Sequence, residues 1–225
     1  MAITVSEAAA LVSEQLNIQS GAVPPSPAML QDYVRRAARR LIAEARPVYV
    51  TSGAMTALAL DVTDKAMVFH VAVNNVVLLQ TEWMETATGV QVTGYEHAKA
   101  TDTLTVWYSK GNAIASDAST IDLDTIHGSD WGYEYIVTYA EMLAELRLSN
   151  SDAANAMVHL QRYRTLERAA EQQMAALLRA RGDDLALLGN RQQIRAQFGA
   201  GYWRPSPLGG FLNDSDLIDR TAGEN

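Results

Sequence analysis

The chain has no cysteine. That excludes disulfides, thiolate zinc sites and a thiol nucleophile, and it suits a protein made in a reducing cytoplasm. No run approaches the roughly 20 apolar residues of a membrane-spanning helix. There is no excess of basic charge either. Lys and Arg number 18 against 26 Asp and Glu, for a formal charge of −8 and an isoelectric point near 5.0. Wrapping of nucleic acid by charge alone is therefore disfavoured. The opening MAITVSEAAALVSEQ has no basic stretch and carries Glu7 and Glu14, so it does not read as a secretory leader.

The usual carriers of chemistry are missing as well. There is no GxSxG elbow, no GxxxxGK[ST] phosphate loop and no GxGxxG after a strand. Gly199-Ala200-Gly201 has neither the strand–turn–helix setting nor the lysine, and reads as a hinge. None of His70, His97, His127 and His159 lies three or four residues from another, so no helix-borne zinc pair exists and each reads as structural or surface. Asp122, Asp124 and Asp130 lack the amide, glycine and glutamate that complete a calcium loop; Ile126, His127 and Tyr133 stand there instead, and a solvated acidic loop is expected. Glu141 and Glu145, one turn apart, read as a solvent-facing side of a helix. No catalytic residue, cofactor or metal is expected. Internal repeats and low-complexity tracts are also absent.

What is present is a chain of 225 residues, 48% hydrophobic, enough for one domain with appendages or two small ones. Charge is unevenly placed. Residues 47–133 hold ten acids against only Lys65, Lys99 and Lys110, while residues 27–46 hold five arginines against Asp32 and Glu44. The middle is thus acidic and one early helix basic.

Residues 1–46 read as two helices. Thr4-Val5-Ser6-Glu7 is a capping box, a hydroxyl followed three residues later by glutamate. It opens a helix to about Leu16, with Ala8, Leu11, Val12 and Leu16 inward. Ser26-Pro27 sets a capping hydroxyl before proline at the first helical position, where the missing N–H is harmless. The second helix runs to about Arg46 and stops at Pro47. Leu30, Tyr33, Val34, Ala37, Ala38, Leu41 and Ile42 make its apolar side, opposite Arg35, Arg36, Arg39 and Arg40. From 47 to 130 the period changes. VYV, ALALDV, MVFHVAV, VVLLQTEW, VQVTGY and TLTVWY are β-rich runs between Ser-Gly, Thr-Asp, Asn-Asn and Thr-Gly turn signals, which predicts an inserted antiparallel sheet or small sandwich. Helical pattern resumes over 131–181 as a hairpin. One helix spans about Tyr133–Leu148 and ends at Ser149-Asn150. The next is capped by Ser151-Asp152 and reaches about Arg181, with Ala153, Met157, Leu160, Tyr163, Leu166, Ala170, Met174 and Leu177 on one face. Residues 182–225 show no core-forming period and read as an extended arm. The fold class expected is therefore mainly α with an inserted antiparallel β domain, a helical bundle plus a small β-sandwich and a C-terminal arm.

Two groups of residues suit partner binding. The guanidinium groups of Arg35, Arg36, Arg39 and Arg40 fit an acidic protein surface better than DNA, given the acidic chain. In the arm, Phe198, Tyr202, Trp203, Arg204 and Phe211 are of the types enriched at binding hot spots, and Pro205 and Pro207 hold the segment extended. An arm with clustered aromatics on a globular body points to docking and to an assembly component.

The organisation resembles the head-to-tail adaptor proteins of tailed bacteriophages, also called connector or head-completion proteins. The likeness covers about residues 4–181. It is carried by Tyr135-Ile136-Val137-Thr138-Tyr139-Ala140 through Leu148-Ser149-Asn150, by Asp152-Ala153-Ala154-Asn155-Ala156 with His159-Leu160-Gln161-Arg162-Tyr163, and by Leu30-Gln31-Asp32-Tyr33-Val34 with Ala37 and Leu41. The long arm and well-developed β insertion depart from many members. The resemblance implies a structural virion protein of the neck, forming a homo-oligomeric, commonly dodecameric ring below the portal protein. Such a ring extends the DNA channel, touches passing viral DNA transiently and offers tail or neck proteins a platform. It implies assembly in the host cytoplasm and no membrane partner. The alternatives are another neck or tail-completion protein, a small DNA-binding regulator using the arginine-rich helix 27–46, and a hydrolase whose site is scattered in sequence.

Overall fold

The computed structural model describes residues 3–16, 25–111, 114–128 and 131–198, with side chains up to 193. Among them are four helices and nine short strands, a mixed α+β architecture. The chain divides into two compact units. The first comprises Met1–Thr51, Thr63–Phe69 and Trp107–Leu185, and the second Ser52–Val62, His70–Val106 and Ala186–Asn225. The stretch 47–130 therefore contributes to both.

The first unit is built on three mutually packed helices: α1 (Val5–Leu16), α2 (Pro27–Ala45) and α3 (Tyr133–Ser151). α1 begins where the capping box places it, though the Val5 N–H goes to the Ser119 carbonyl at 2.9 Å. Just before it, β1 (Ile3–Thr4) pairs antiparallel with β9 (Thr120–Ile121). Ser26 caps α2 as read, its hydroxyl accepting the Met29 N–H at 3.3 Å. α2 ends at Arg46, which takes the left-handed conformation (φ 46°) just ahead of Pro47 and donates its N–H to the Ile42 carbonyl at 3.2 Å. Val34, Ala37, Ala38 and Leu41 of α2 are fully buried, as are Ala8, Val12 and Leu16 of α1. Side chains of this kind stabilise the fold by about 1.5–3 kcal/mol each where they are Val or Leu size. α3 buries residues all around its axis, from Tyr135, Ile136 and Val137 to Ala144 and Leu148, as a central helix must. Its entry depends on Gly132. That residue has φ +79°, and a Cβ there would stand 2.5 Å from Leu41 Cδ2, so only glycine lets α2 and the start of α3 come this close.

The helical hairpin departs from its expected limits at three points. α3 does not stop at Ser149-Asn150 but runs to Ser151. The Ser149 hydroxyl and the Asn150 amide fold back onto the Leu146 carbonyl (2.8 and 2.9 Å), and Ser151 onto that of Arg147 (3.2 Å). Residues that commonly end helices here satisfy the last turn instead. Asp152 is the C-cap, and its carboxylate takes the N–H and side-chain amide of Asn155, so α4 starts at Ala156. α4 then continues to Phe198 and not to Arg181, a rise of about 64 Å at 1.5 Å per residue. The apolar period fades after Arg181, but Gly182 and Gly189 do not end the helix. Each costs only about 0.5–1 kcal/mol in a helix, and the residues between and after them (Leu185, Ala186, Leu187, Leu188, Arg191, Gln192, Gln193) are mostly good helix formers.

The remaining strands are β2 (Tyr49–Ala54), β3 (Ala59–Asp61), β4 (Lys65–Val73), β5 (Val76–Val77), β6 (Trp83–Glu85), β7 (Gly89–Val92) and β8 (Thr103–Lys110). One sheet has the order β2-β8-β4-β5 and another β3-β7-β6. In the second, β7 pairs antiparallel with both neighbours, and Val90 stands opposite Leu60 and Glu85. Asn74 and Asn75 both have positive φ, which closes the β4–β5 hairpin at the Asn-Asn turn signal. The run 76–83 is not one strand. The Glu82 carboxylate accepts the Leu79 N–H at 2.7 Å and makes a turn between β5 and β6. Gly89 is required by close approach, since a Cβ would lie 2.1 Å from the Leu60 carbonyl oxygen. Val71, Ala72, Leu78, Val90, Leu104 and Val106 are buried in the second unit. Leu188 of α4 is buried too, and Gln192 donates to the Leu78 carbonyl at 2.6 Å.

Candidate functional site

The α2 arginines line up as the helical period predicts, and each makes at least one hydrogen bond or ion pair inside the first unit. Arg35 Nε donates to the Ala118 carbonyl at 2.9 Å and Arg39 Nε to the Ile114 carbonyl at 3.0 Å, so both hold the 114–118 loop on α2. Arg40 pairs with Glu44 (2.7 Å), donates to the Tyr139 hydroxyl (2.8 Å) and lies 4.8 Å over that ring. Its pKa is raised, chiefly by the bond to Tyr139. Arg36 pairs with Asp32 at 2.8 Å, and its side chain is 61% exposed. The loop carbonyls engage Arg35 and Arg39 in a way that the helical pattern could not reveal.

A second cluster joins α3 to α4. Glu145 is fully buried, which corrects the solvent-facing reading of the Glu141–Glu145 pair. Its carboxylate meets His159 Nδ1 at 2.6 Å and Arg162 Nη1 at 3.4 Å, and His159 Nε2 lies 3.5 Å from the Asp152 carboxylate. A buried carboxylate without such partners would be prohibitively costly. Glu141, one turn earlier, remains at the edge of this cluster. Its carboxyl pKa is raised by burial and by the Glu145 charge, with Arg162 opposing. Beside the cluster a cleft of about 460 Å³ is lined by Gln15 of α1, Glu141 of α3, and Val158, Gln161, Arg162, Thr165 and Leu166 of α4. The signal for Glu145 was present in the sequence. It shares a stripe with Val137, Ala144 and Leu148, and a histidine follows on the next helix.

A third cluster centres on Lys110. Its ammonium pairs with Asp122, stands 3.5 Å from Asp64 and lies 4.4 Å over the Tyr49 ring. Burial disfavours its charge, yet the two carboxylates outweigh that and raise its pKa. Burial likewise raises the Tyr49 phenol, whose hydroxyl donates to the Asp122 carbonyl at 3.1 Å. The Asp122 carboxyl is held low: burial works upward, but the Lys110 bond and the Asp124 N–H prevail. Asp122 thus serves the fold. Asp130 lies outside the described residues.

The other histidines are dispersed. His127 meets Asp184 at 2.5 Å and stacks on Trp131, and His97 packs edge-on to Tyr95. Among the described residues, no group of three or more His, Cys, Asp or Glu is placed to hold a metal ion. Also among them, no helix is long and apolar enough to cross a membrane. Of the arm residues read as anchors, Tyr202, Trp203, Arg204, Pro205, Pro207 and Phe211 lie outside the described residues. Phe198 closes α4, but its side chain lies outside them as well. What the arrangement offers is charged and half-apolar surface on long helices; the buried polar clusters tie elements together. Compared with known proteins, the chain matches no family model and no curated sequence.

Proposed function

We propose that the chain is a structural virion protein without enzymatic activity. It is a head-to-tail adaptor that forms a ring, dodecameric by resemblance, below the portal, extends the DNA channel and carries tail components. The observation that carries this reading is α4. Its apolar residues Leu160, Tyr163, Leu166 and Leu177 remain only half-buried, and Met157, Val158, Leu178 and Leu187 are 36–68% exposed along its length. A helix this long and this thinly covered suits lateral packing against neighbouring subunits, where such side chains would leave water. The acids Asp61, Glu85, Glu96, Asp117 and Asp124 are exposed. On a channel wall they would let DNA slide without tight phosphate contacts. In the finer fold reading, the three packed helices are the bundle, the β region a small sandwich, and residues 199–225 the docking arm. Arg36 is the α2 arginine best placed to meet an acidic partner surface, with Phe198, Tyr202, Trp203, Arg204, Pro205 and Phe211 as anchors of the arm. The internal engagement of Arg35, Arg39 and Arg40 weighs against a DNA-binding regulator that would need them for phosphates.

A reconstruction of particles containing this chain tests the reading. The expected result is a closed ring at the head–tail junction with α4 faces buried between subunits. A chain absent from the junction, or present as a single non-ring copy, overturns it.

A further inference from the structure

The first four turns of α4 are held differently from the rest of the helix. Between Ala156 and Ala169 the only buried residue is His159; Met157, Val158, Gln161, Arg162 and Thr165 are exposed, and Leu160, Tyr163 and Leu166 half-exposed. Apolar anchoring begins at Ala170 and Met174, which join the core of the first unit with Leu177 packed against it. Just beyond, Gln173 donates to the Thr138 hydroxyl at 3.3 Å. Before that point the helix is held by polar contacts: His159 and Arg162 on the buried Glu145 of α3, and His159 beside Asp152. The cleft between Gln15, Glu141 and Arg162 lies under this same stretch, so packing beneath it is incomplete.

We propose that Ala156–Ala169 form a strap that opens locally as a separate unit, bounded by the core anchoring at Ala170 and latched by the Glu145–His159–Arg162 clasp. Segments with few buried apolar contacts open at lower free energy than the core they adjoin. A single polar clasp then decides whether this one is closed. Its removal leaves a buried carboxylate short of partners, which concentrates the penalty at the latch. The strap is a property of the free chain and does not rest on the ring reading.

Hydrogen–deuterium exchange on the full-length protein tests it. In His159→Ala, protection across residues 157–168 is expected to fall more than about tenfold while that across 170–181 changes less than about threefold. Glu145→Gln, which keeps the size and hydrogen-bonding capacity of the side chain, should shift 157–168 the same way by a smaller factor. It serves as the second variant should His159→Ala misfold. Because the chain is free of cysteine, spin labels at Ser13→Cys and Gln161→Cys report the α1–strap distance directly. That distribution should broaden on the His159→Ala background. Equal loss of protection in both stretches, no loss in 157–168, or an unchanged narrow distance distribution would each overturn the proposal.

Discussion

Glu141 and Glu145 sit one helical turn apart on α3 and differ in what surrounds them. Glu145 has a histidine and an arginine on its carboxylate. Glu141 has partial burial, the like charge of Glu145 and the more distant Arg162, and its pKa is raised. The sign of its effect on stability follows. Above the unfolded pKa of about 4.5, the folded state holds the Glu141 proton longer than the unfolded state does. Stability contributed by this group therefore falls as pH rises from about 4.5 through the folded pKa. Glu141→Gln should remove that loss. The variant is expected to be more stable than the parent at pH 7, by less than about 1 kcal/mol because the group is half in water, and equal to it near pH 4. Urea midpoints at the two pH values check this, and a variant less stable at pH 7 would contradict it. Residue-level legibility was uneven for a physical reason. The Ser26 cap, the Asn74-Asn75 turn and the apolar face of α2 depend on neighbours a few positions away, so the sequence displays them. The burial of Glu145 and the use of Arg35 and Arg39 on loop carbonyls depend on groups that the fold brings from 14 to 83 residues away.

Among the elements, α1, α2 and α3 stand close to where period and caps place them, and the turn signals mark most of the strands. The two helix ends that run on have different causes: at the end of α3, residues that commonly stop helices bond back to carbonyls, and past Arg181 helix-favouring residues carry α4 although its apolar period fades. Ser149, Asn150 and Ser151 back-bond to carbonyls, and Gly182 and Gly189 are carried by helix-favouring neighbours. Among the described residues, apart from the chain neighbours and the helix's own backbone, no heavy atom lies within 4 Å of a Cβ built at either glycine, so neither is required there by close packing. Gly182→Ala and Gly189→Ala should then each stabilise α4 by about 0.4–1 kcal/mol, largely by restricting the unfolded chain. Urea unfolding followed by far-UV circular dichroism should show a higher midpoint for each variant. A lower midpoint at either position would mean that the backbone there is not helical in solution.

At the scale of the whole molecule, the length of α4 moves the start of the proposed docking arm. Its start was read at residue 182 because the apolar period fades there. Yet Leu188 is buried in the second unit and Gln192 reaches the Leu78 carbonyl, so the stretch 186–193 is part of a folded body. A truncation meant to remove only the arm must therefore begin at residue 199. On the proposed adaptor reading, deleting 199–225 is expected to leave helix content and thermal midpoint close to those of the full chain and to abolish any capture by portal or by other copies. Deleting 183–225 strips Leu188 and the Gln192 bond as well. It should destabilise the second unit by about 2–5 kcal/mol, in the range of a large core deletion. Thermal melts and native mass spectrometry of mixtures with portal protein separate the two. If the shorter deletion still assembles, the residues Tyr202, Trp203, Arg204, Pro205 and Phe211 do not anchor the ring, and contact must come from α4 and Arg36 instead. If the longer deletion melts like the full chain, the second unit does not need the end of α4. The pair of truncations thus tells an arm that recruits partners from a helix that completes the fold, which a single cut at 183 would confound.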